Sequence, residues 1–357
     1  MTTSNKYPFR GHLEAVDGLR GFASLAVLFW HYQHFYYLLP GEFIPDFQRS
    51  SQPAFLVFKS LYERGNFAVE LFWLLSGFVM AHVYLSRDEL NILTFAKRRF
   101  ARIFPLHWLT LIVVAAAQYL SFVYLGHFQI YGNNDLFHFI LNLVGAAHWG
   151  FQDGFSFNAP FWSVSVELIS YIVFGVTFCI FSRLQHACVV FTGLLIFVGF
   201  RAGWGSYITL CLSYFFSGVT LWILVFGRFK ILWLLHRLAA VFYFLIAGAI
   251  LGGVGLSGGV ETLLFSIMIL MIAIVIDFHK TKPWPAALFL GKISFGIYLW
   301  HIPVQIFTLI VIKYHEIDIQ IFNSIFSLAI FIGATMALSC LSFYIFERPI
   351  RSWLSSM

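Results

Sequence analysis

A succession of apolar runs, each about 20 residues long and separated by short charged segments, constrains this chain more than any other feature. A hydrocarbon core of ~30 Å takes about 20 apolar residues to cross as a helix, and only helices and closed barrels satisfy their backbone there. Ten such runs can be marked, at roughly 19–39, 67–86, 103–125, 160–182, 187–203, 205–226, 238–256, 259–277, 287–312 and 320–346. The stretch 136–149 is apolar but too short to span, and it carries His138 and His148, so it reads as an interfacial or re-entrant helix. The expected fold is therefore all-α, a polytopic membrane protein with about ten transmembrane helices. Composition excludes the soluble alternative. Only 11% of the 357 residues are charged, against roughly 25% in a soluble domain. The 44 phenylalanines cannot all be hidden in one water-soluble core.

Charge sets the orientation. With the N-terminus inside, seventeen of the 22 Lys and Arg fall on the cytoplasmic segments; only Arg49, Lys59, Arg64, Arg201 and Lys313 fall outside. This asymmetry places both termini in the cytoplasm. Segment 126–159 has neither Lys nor Arg, as suits an outward loop. The net charge of +6 then reflects cytoplasmic basic loops, and with no RNA- or DNA-binding motif present no nucleic-acid partner is expected. Segment 228–237, RFKILWLLHR, reads as an amphipathic connector on the inner surface. The first 18 residues are mixed and charged, and no small-residue cleavage site follows the first apolar run, which is expected to stay as a signal anchor. With no Pro, Gly and Ser-rich linker and no repeat, 1–357 is expected to be a single transmembrane domain.

Charged groups inside a bilayer cost at least ~2.5 kcal/mol each on insertion scales, so each needs a reason. In LRGFASLAVLFWH, Arg20 and His31 are eleven residues apart, which returns a helix to the same face within about 20° and rises ~16.5 Å. A cation at the inner boundary and an imidazole near the midplane suit a phosphate-bearing donor whose reactive end reaches inward. An unperturbed imidazole titrates at about 6.5, the natural general base for a hydroxyl. A positive-inside anchor and a hydrogen-bonded interior histidine are the competing reading. FAVELFWLLSGFVM holds Glu70, Ser76 and Gly77. Ser-Gly permits close helix packing, and Glu70 is a candidate to orient an acceptor or a neighbouring cation. FAKRRFARIFP holds Lys97, Arg98, Arg99 and Arg102, with Arg99 and Arg102 on one helical face. Its partner is either a nucleotide phosphate or a lipid headgroup.

Two further stretches carry polar stripes. In FNAPFWSVSVELISY, Ser163, Glu167 and Tyr171 follow Trp162 at i, i+4, i+8 spacing on one face. Glu167 could take a proton, bond an acceptor or pair with an arginine. In GKISFGIYLWHIP, Ser294, Tyr298 and His301 share a face, and Pro303 loosens the backbone just beyond. His301 is otherwise a satisfied interior histidine. In the closing FERPIRSW, Glu347 and Pro349 read as a helix stop at the inner surface. The four cysteines, Cys179, Cys188, Cys211 and Cys340, show no CxxC spacing and read as small buried hydrophobes. There is no HExxH, no His/Cys cluster, no GxSxG elbow and no Walker loop. The expected mechanism is metal-independent, without a tightly bound cofactor.

Taken in order, these stretches resemble the acyltransferase-3 family of integral membrane O-acyltransferases, in its form without an appended periplasmic domain. The resemblance rests on Asp17-Gly-Leu-Arg20 with His31 beyond it, VELFWLLSGF, KRRFARIFP, WSVSVELISY, ISFGIYLWHIP and FERPIRSW, covering about residues 14 to 351. It implies a cytoplasmic acyl-CoA co-substrate, acetyl-CoA the expected one. It also implies O-acylation of a carbohydrate such as a surface polysaccharide, its lipid-linked precursor or another glycolipid, at a bacterial inner membrane. By position, Arg20 and His31 match the family's essential Arg and His, and Arg99 and Arg102 match its RxxR. The family's aspartate in the second block is Glu70 here, a longer arm. On this reading His31, Arg20 and Glu167 carry catalysis, and Arg98, Arg99 and Arg102 hold the donor. Glu70, Trp162, Ser163, Tyr171, Tyr298 and His301 position the acceptor. Loops 40–66 and 126–159, with Trp149, Phe151, Phe155 and Phe157, would select the sugar or form an interfacial belt. A multi-span transporter is the rival reading, although no inverted repeat is visible.

Overall fold

The computed structural model describes residues 13–85, 91–180, 206–226, 258–279 and 284–356, with six further positions between 191 and 199. Its helices are α1 Glu14–His31, α2 Phe55–Arg64, α3 Ala68–Tyr84, α4 Ile92–Leu125, α5 Leu136–Leu143, α6 Phe161–Ile180, α7 Tyr207–Phe226, α8 Gly258–His279, α9 Pro285–Tyr314, α10 Ile325–Ser342 and α11 Arg348–Ser356. A small antiparallel pair, β1 Tyr37–Leu39 and β2 Glu42–Phe43, turns at Pro40-Gly41, where Gly41 has φ +75°. The protein is an all-α polytopic membrane protein.

Among the described residues seven helices are long and apolar enough to cross a bilayer: Phe55–Tyr84, Ile92–Leu125, Phe161–Phe178, Tyr207–Phe226, Glu261–His279, Pro285–Tyr314 and Ile325–Leu354. That is fewer than the ten expected. The expected span 238–256 and the connector 228–237 lie outside the described residues, as does 187–203 but for the six scattered positions. The first expected span, 19–39, corresponds to α1, which carries Glu14, Asp17 and Arg20 and ends at His31. From Tyr32 to Tyr36 the chain tightens into a 3-10 helix. Tyr32 to Tyr36 are buried in protein, whereas Leu38 and Leu39 of β1 are exposed. The Tyr32 hydroxyl donates to the Phe322 carbonyl at 2.8 Å, and Phe35 stacks on Phe322 with centroids 4.2 Å apart.

By proximity the chain falls into two compact units, residues 1–20, 69–92 and 169–291, and residues 21–68, 93–168 and 292–357. In the first, α3 and α7 meet at two glycines. A Cβ on Gly77 would collide with the Phe215 carbonyl, and one on Gly218 with the Leu74 carbonyl, so only glycine permits the approach. The same unit ties down the start of α1. Buried Asp277 of α8 accepts from the Ala15 N–H (2.9 Å) and the Val16 N–H (3.3 Å), filling donors that a helix start leaves open. Glu14 in turn accepts from the Trp284 N–H at 2.9 Å, where α9 begins. Nothing in the sequence pattern singled out Asp277.

The second unit is built on a large aromatic and aliphatic core that includes Tyr32, Phe35, Tyr36, Tyr62, Ile297, Ile302 and Phe331. Its last helix does not stop at Glu347. After α10 the backbone widens into a π-helical turn, Phe343–Glu347, and continues as α11. Glu347 is 2% exposed and ion-pairs with Arg351, which corrects its reading as a surface stop.

Candidate active site

The second unit brings three histidines together. His31 closes α1, His34 follows in the 3-10 turn, and His301 lies in α9. The His31 ring is 4.9 Å from that of His34 and 4.8 Å from that of His301. Hydrogen bonds fix their tautomers. A carbonyl oxygen only accepts, so His31 Nδ1 must carry the proton it donates to Val27 at 2.9 Å. His301 Nδ1 donates likewise to the Ile297 carbonyl at 3.2 Å. Gln305 Nε2 donates to the His31 carbonyl at 2.8 Å, which turns its oxygen toward His34 Nδ1 at 3.4 Å. Each ring therefore presents an Nε2 lone pair. His31 is 8% exposed against 2% for His34 and 0% for His301, so all three are buried and His31 is the least so. His301 Nε2 is buried without a hydrogen-bond partner among the described residues.

Proline organises the next part. Pro303 has no N–H, so the carbonyl four residues earlier loses its helical partner. That carbonyl, Leu299, accepts instead from Asn158 Nδ2 at 2.9 Å, leaving the buried Asn158 Oδ1 unpartnered among the described residues. One turn away the Tyr298 hydroxyl lies 2.8 Å from the Pro160 carbonyl and 2.6 Å from Ser163 Oγ. The Tyr298 and His301 rings stand 6.1 Å apart. Ser163, Tyr298, His301 and His31 thus form one polar set on α6, α9 and α1, joining residues of three helices that the sequence proposed only separately.

Aromatic rings lead outward from this set. His34 meets Tyr131 at 5.6 Å, Tyr131 meets Phe155 at 6.1 Å, and Phe155 meets Trp162 at 6.2 Å and His148 at 5.6 Å. Burial pushes the His148 imidazole down, so it stacks as a neutral ring. The loop carrying these rings is pinned by Trp149 Nε1 donating to the Ser165 carbonyl at 2.8 Å and by Ser165 Oγ donating to the Gly145 carbonyl at 2.8 Å. At its entry Asp135 caps α5, accepting from the His138 N–H at 2.9 Å, which holds its carboxyl below the usual range.

Other expected residues lie elsewhere. Tyr171 and Glu70 belong to the first unit. Tyr171 is bonded to Ser76 Oγ at 2.8 Å, and Glu70 Oε2 is buried without a hydrogen bond among the described residues. Arg20 is half-buried on α1. On α4, Arg98 is exposed while Arg99 and Arg102 are half-buried. Arg102 lies within electrostatic reach of Glu347. Glu167 is half-buried one turn beyond Ser163. Of Trp149, Phe151, Phe155 and Phe157, only Phe155 joins the path of rings, while Phe157 is core. Sequence reasoning missed His34, Gln305, Asn158 and Tyr131. Gln305 stands four residues after His301, a spacing that could have marked it. Among the described residues no group of three or more His, Cys, Asp or Glu is arranged to hold a metal ion.

Comparison with known proteins shows the family. A family described as an acyltransferase domain matches residues 13–344. The acyltransferase MdmB of Streptomyces mycarofaciens is 32% identical over 45% of this chain and 38% of its own length. Protein 2 in the picA locus of Rhizobium radiobacter is 35% identical over 28% of this chain and 43% of its own. The chain thus spans less than half the length of either. Nodulation protein 10 of Rhizobium leguminosarum bv. viciae is 25% identical over 85% of this chain and 86% of its own. No solved structure gives a significant match. With a family match over most of its length and apolar helices of spanning length, the chain belongs to the acyltransferase-3 family of integral membrane acyltransferases.

Proposed function

We propose that this transferase moves an acetyl group from cytoplasmic acetyl-CoA to a hydroxyl of a carbohydrate presented from the outer side of a bacterial inner membrane. The observation that carries this is the His31 tautomer. With Nδ1 tied to Val27, Nε2 is free to take a proton. The acceptor oxygen attacks the thioester carbonyl as its proton passes to His31 Nε2. The tetrahedral intermediate then collapses, the C–S bond breaks, and the same proton passes to the departing thiolate, giving an ester and free CoA. His301, its own Nε2 lone pair unused and its ring 4.8 Å away, steadies the transient imidazolium.

The polar set around Ser163, Tyr298 and Asn158 supports acceptor positioning, with Glu167 one turn further along α6. The rings of Tyr131, Phe155 and Trp162 suit the faces of sugars, being apolar platforms with polar edges. Arg99 and Arg102 suit the phosphates of CoA. Arg98, being exposed, suits a lipid headgroup equally well. Arg20, at the other end of α1 from His31, suits the length of an extended donor arm.

Membranes carrying the chain should release CoA from acetyl-CoA when a sugar acceptor extract is supplied. His31→Ala should lower transfer by at least ~100-fold; a wild-type rate sinks the assignment. Arg99→Ala should raise the KM for acetyl-CoA, and an unchanged KM returns α4's cations to lipid anchoring. Loss of an acetyl from the surface polysaccharide of a deletion strain would identify the sugar.

A further inference from the structure

Arg49, in the segment between α1 and α2, stands next to the histidine cluster without an ion pair among the described residues. Its Nη2 donates to Gln33 Oε1 at 2.6 Å and its Nη1 to the Tyr62 carbonyl. Its Cζ lies 5.8 Å from the centre of the Trp30 ring. Trp30 in turn lies 4.7 Å from the His31 ring and 6.4 Å from that of His34, so a single indole separates the guanidinium from the proposed base. Gln33 and Tyr62 are buried. Both partners are neutral oxygens, and Arg49 makes no ion pair among the described residues. Glu63, exposed, acts on it only at longer range.

Neutral acceptors orient a guanidinium without cancelling its charge. A half-buried cation held in this way is costly to fold unless something compensates it. Two of five N–H donors are spent, which leaves a fork suited to a carboxylate or phosphate. We propose that Arg49 forms an anion subsite beside His31, and that the acceptor is an anionic carbohydrate, either a uronate or a sugar phosphate. This rests on the acyl-transfer reading and specifies its acceptor class. One hydroxyl of such a sugar would reach His31 while its anionic group meets Arg49 across Trp30. Lys313 is a second cation of the same unit. It donates to the Leu38 carbonyl at 2.7 Å and Gln129 Oε1 at 2.8 Å, and serves as the control.

The test is binding, not turnover, so that it succeeds or fails apart from the transfer assay. The full chain in lipid nanodiscs is probed by saturation-transfer difference NMR with methyl β-glucuronide, glucose 1-phosphate and methyl β-glucoside. Wild type should bind one or both anionic sugars about tenfold better than the neutral one, as a charge-assisted bond predicts. A glucuronide preference marks a uronate site, and a phosphate preference a sugar-phosphate site. Arg49→Gln should abolish the preference while glucoside binding persists, Arg49→Lys should keep part of it, and Lys313→Gln should keep it whole. Equal or absent binding of the three sugars to wild type overturns the proposal. So does a preference that survives Arg49→Gln or disappears with Lys313→Gln. Should Arg49→Gln fail to fold, the wild-type preference is read against salt: a decline supports the subsite, and salt independence overturns it.

Discussion

A proton taken from an acceptor hydroxyl must be held for the life of the tetrahedral intermediate, and a single buried imidazolium is a poor place to hold it. In the proposed mechanism the Nε2 of His301, unpartnered among the described residues, would be the second acceptor. Replacing His301 with Leu should therefore lower kcat by about 10- to 100-fold while leaving the KM for both substrates near wild type. Replacing it with Gln, whose amide oxygen can accept a hydrogen bond, should restore most of the loss. Equal rates for the two variants would reduce His301 to packing. At this scale the sequence was informative where residues shared one helix. Arg20 and His31 share one helix, α1, and Tyr298 and His301 share α9, so the spacing of each pair could be read directly. It was silent where the contact crosses helices. No spacing joins His301 to His31 or Asn158 to Leu299, because these partners meet only after α1 and the segment before α6 have packed on α9.

Helices of this chain were visible in the sequence as uninterrupted apolar runs, since hydrocarbon leaves the backbone no alternative. Their ends were not. The run after His31 is as apolar as a span yet forms a 3-10 turn and a strand; in the turn, Tyr32 to Tyr36 are buried in protein, which selects the same residue types as burial in lipid. Pro303 was expected to loosen α9, but the helix continues through it because Asn158 takes up the stranded Leu299 carbonyl. In the first unit α3 and α7 are set by backbone approach at Gly77 and Gly218, a geometry with no room for a side chain. Gly77→Val should cost about 3 kcal/mol or more, since the colliding partner is a backbone carbonyl that cannot swing aside. The measurement is the thermal midpoint of the purified chain in detergent, with Ser76→Ala as comparison. That neighbour loses only one hydrogen bond to Tyr171 and should cost roughly 0.6 kcal/mol, the average for a bond within a membrane. Equal midpoints for the two variants would show that the helices can separate at that crossing without penalty.

At the scale of the molecule, the proposed reaction needs two entrances on opposite sides of one membrane. The charge distribution supplies the direction. The basic stretch Lys97 to Arg102 lies on the side the positive-inside rule calls cytoplasmic, and the segments with β1 and α5 on the side it calls outer. An acyl-CoA is too polar to cross the bilayer, so the donor must enter from the basic side, while a surface carbohydrate must arrive from the other. Single cysteines placed at Lys97 and Ser50, both exposed, in a background lacking the four native cysteines should separate cleanly in sealed vesicles. A membrane-impermeant maleimide should label position 50 only in right-side-out vesicles and position 97 only in inverted ones. Acetyl-CoA added outside should support transfer in inverted vesicles alone. Labelling of both positions from one side would break the orientation and with it the two-entrance scheme. Correct labelling with transfer from either side would keep the topology but show that the donor reaches His31 from the acceptor's face. The proposed inward donor and outward acceptor would fit the position of His31, at the end of α1 beside a path of rings. In the proposed reaction the acyl group, not the sugar, makes the crossing.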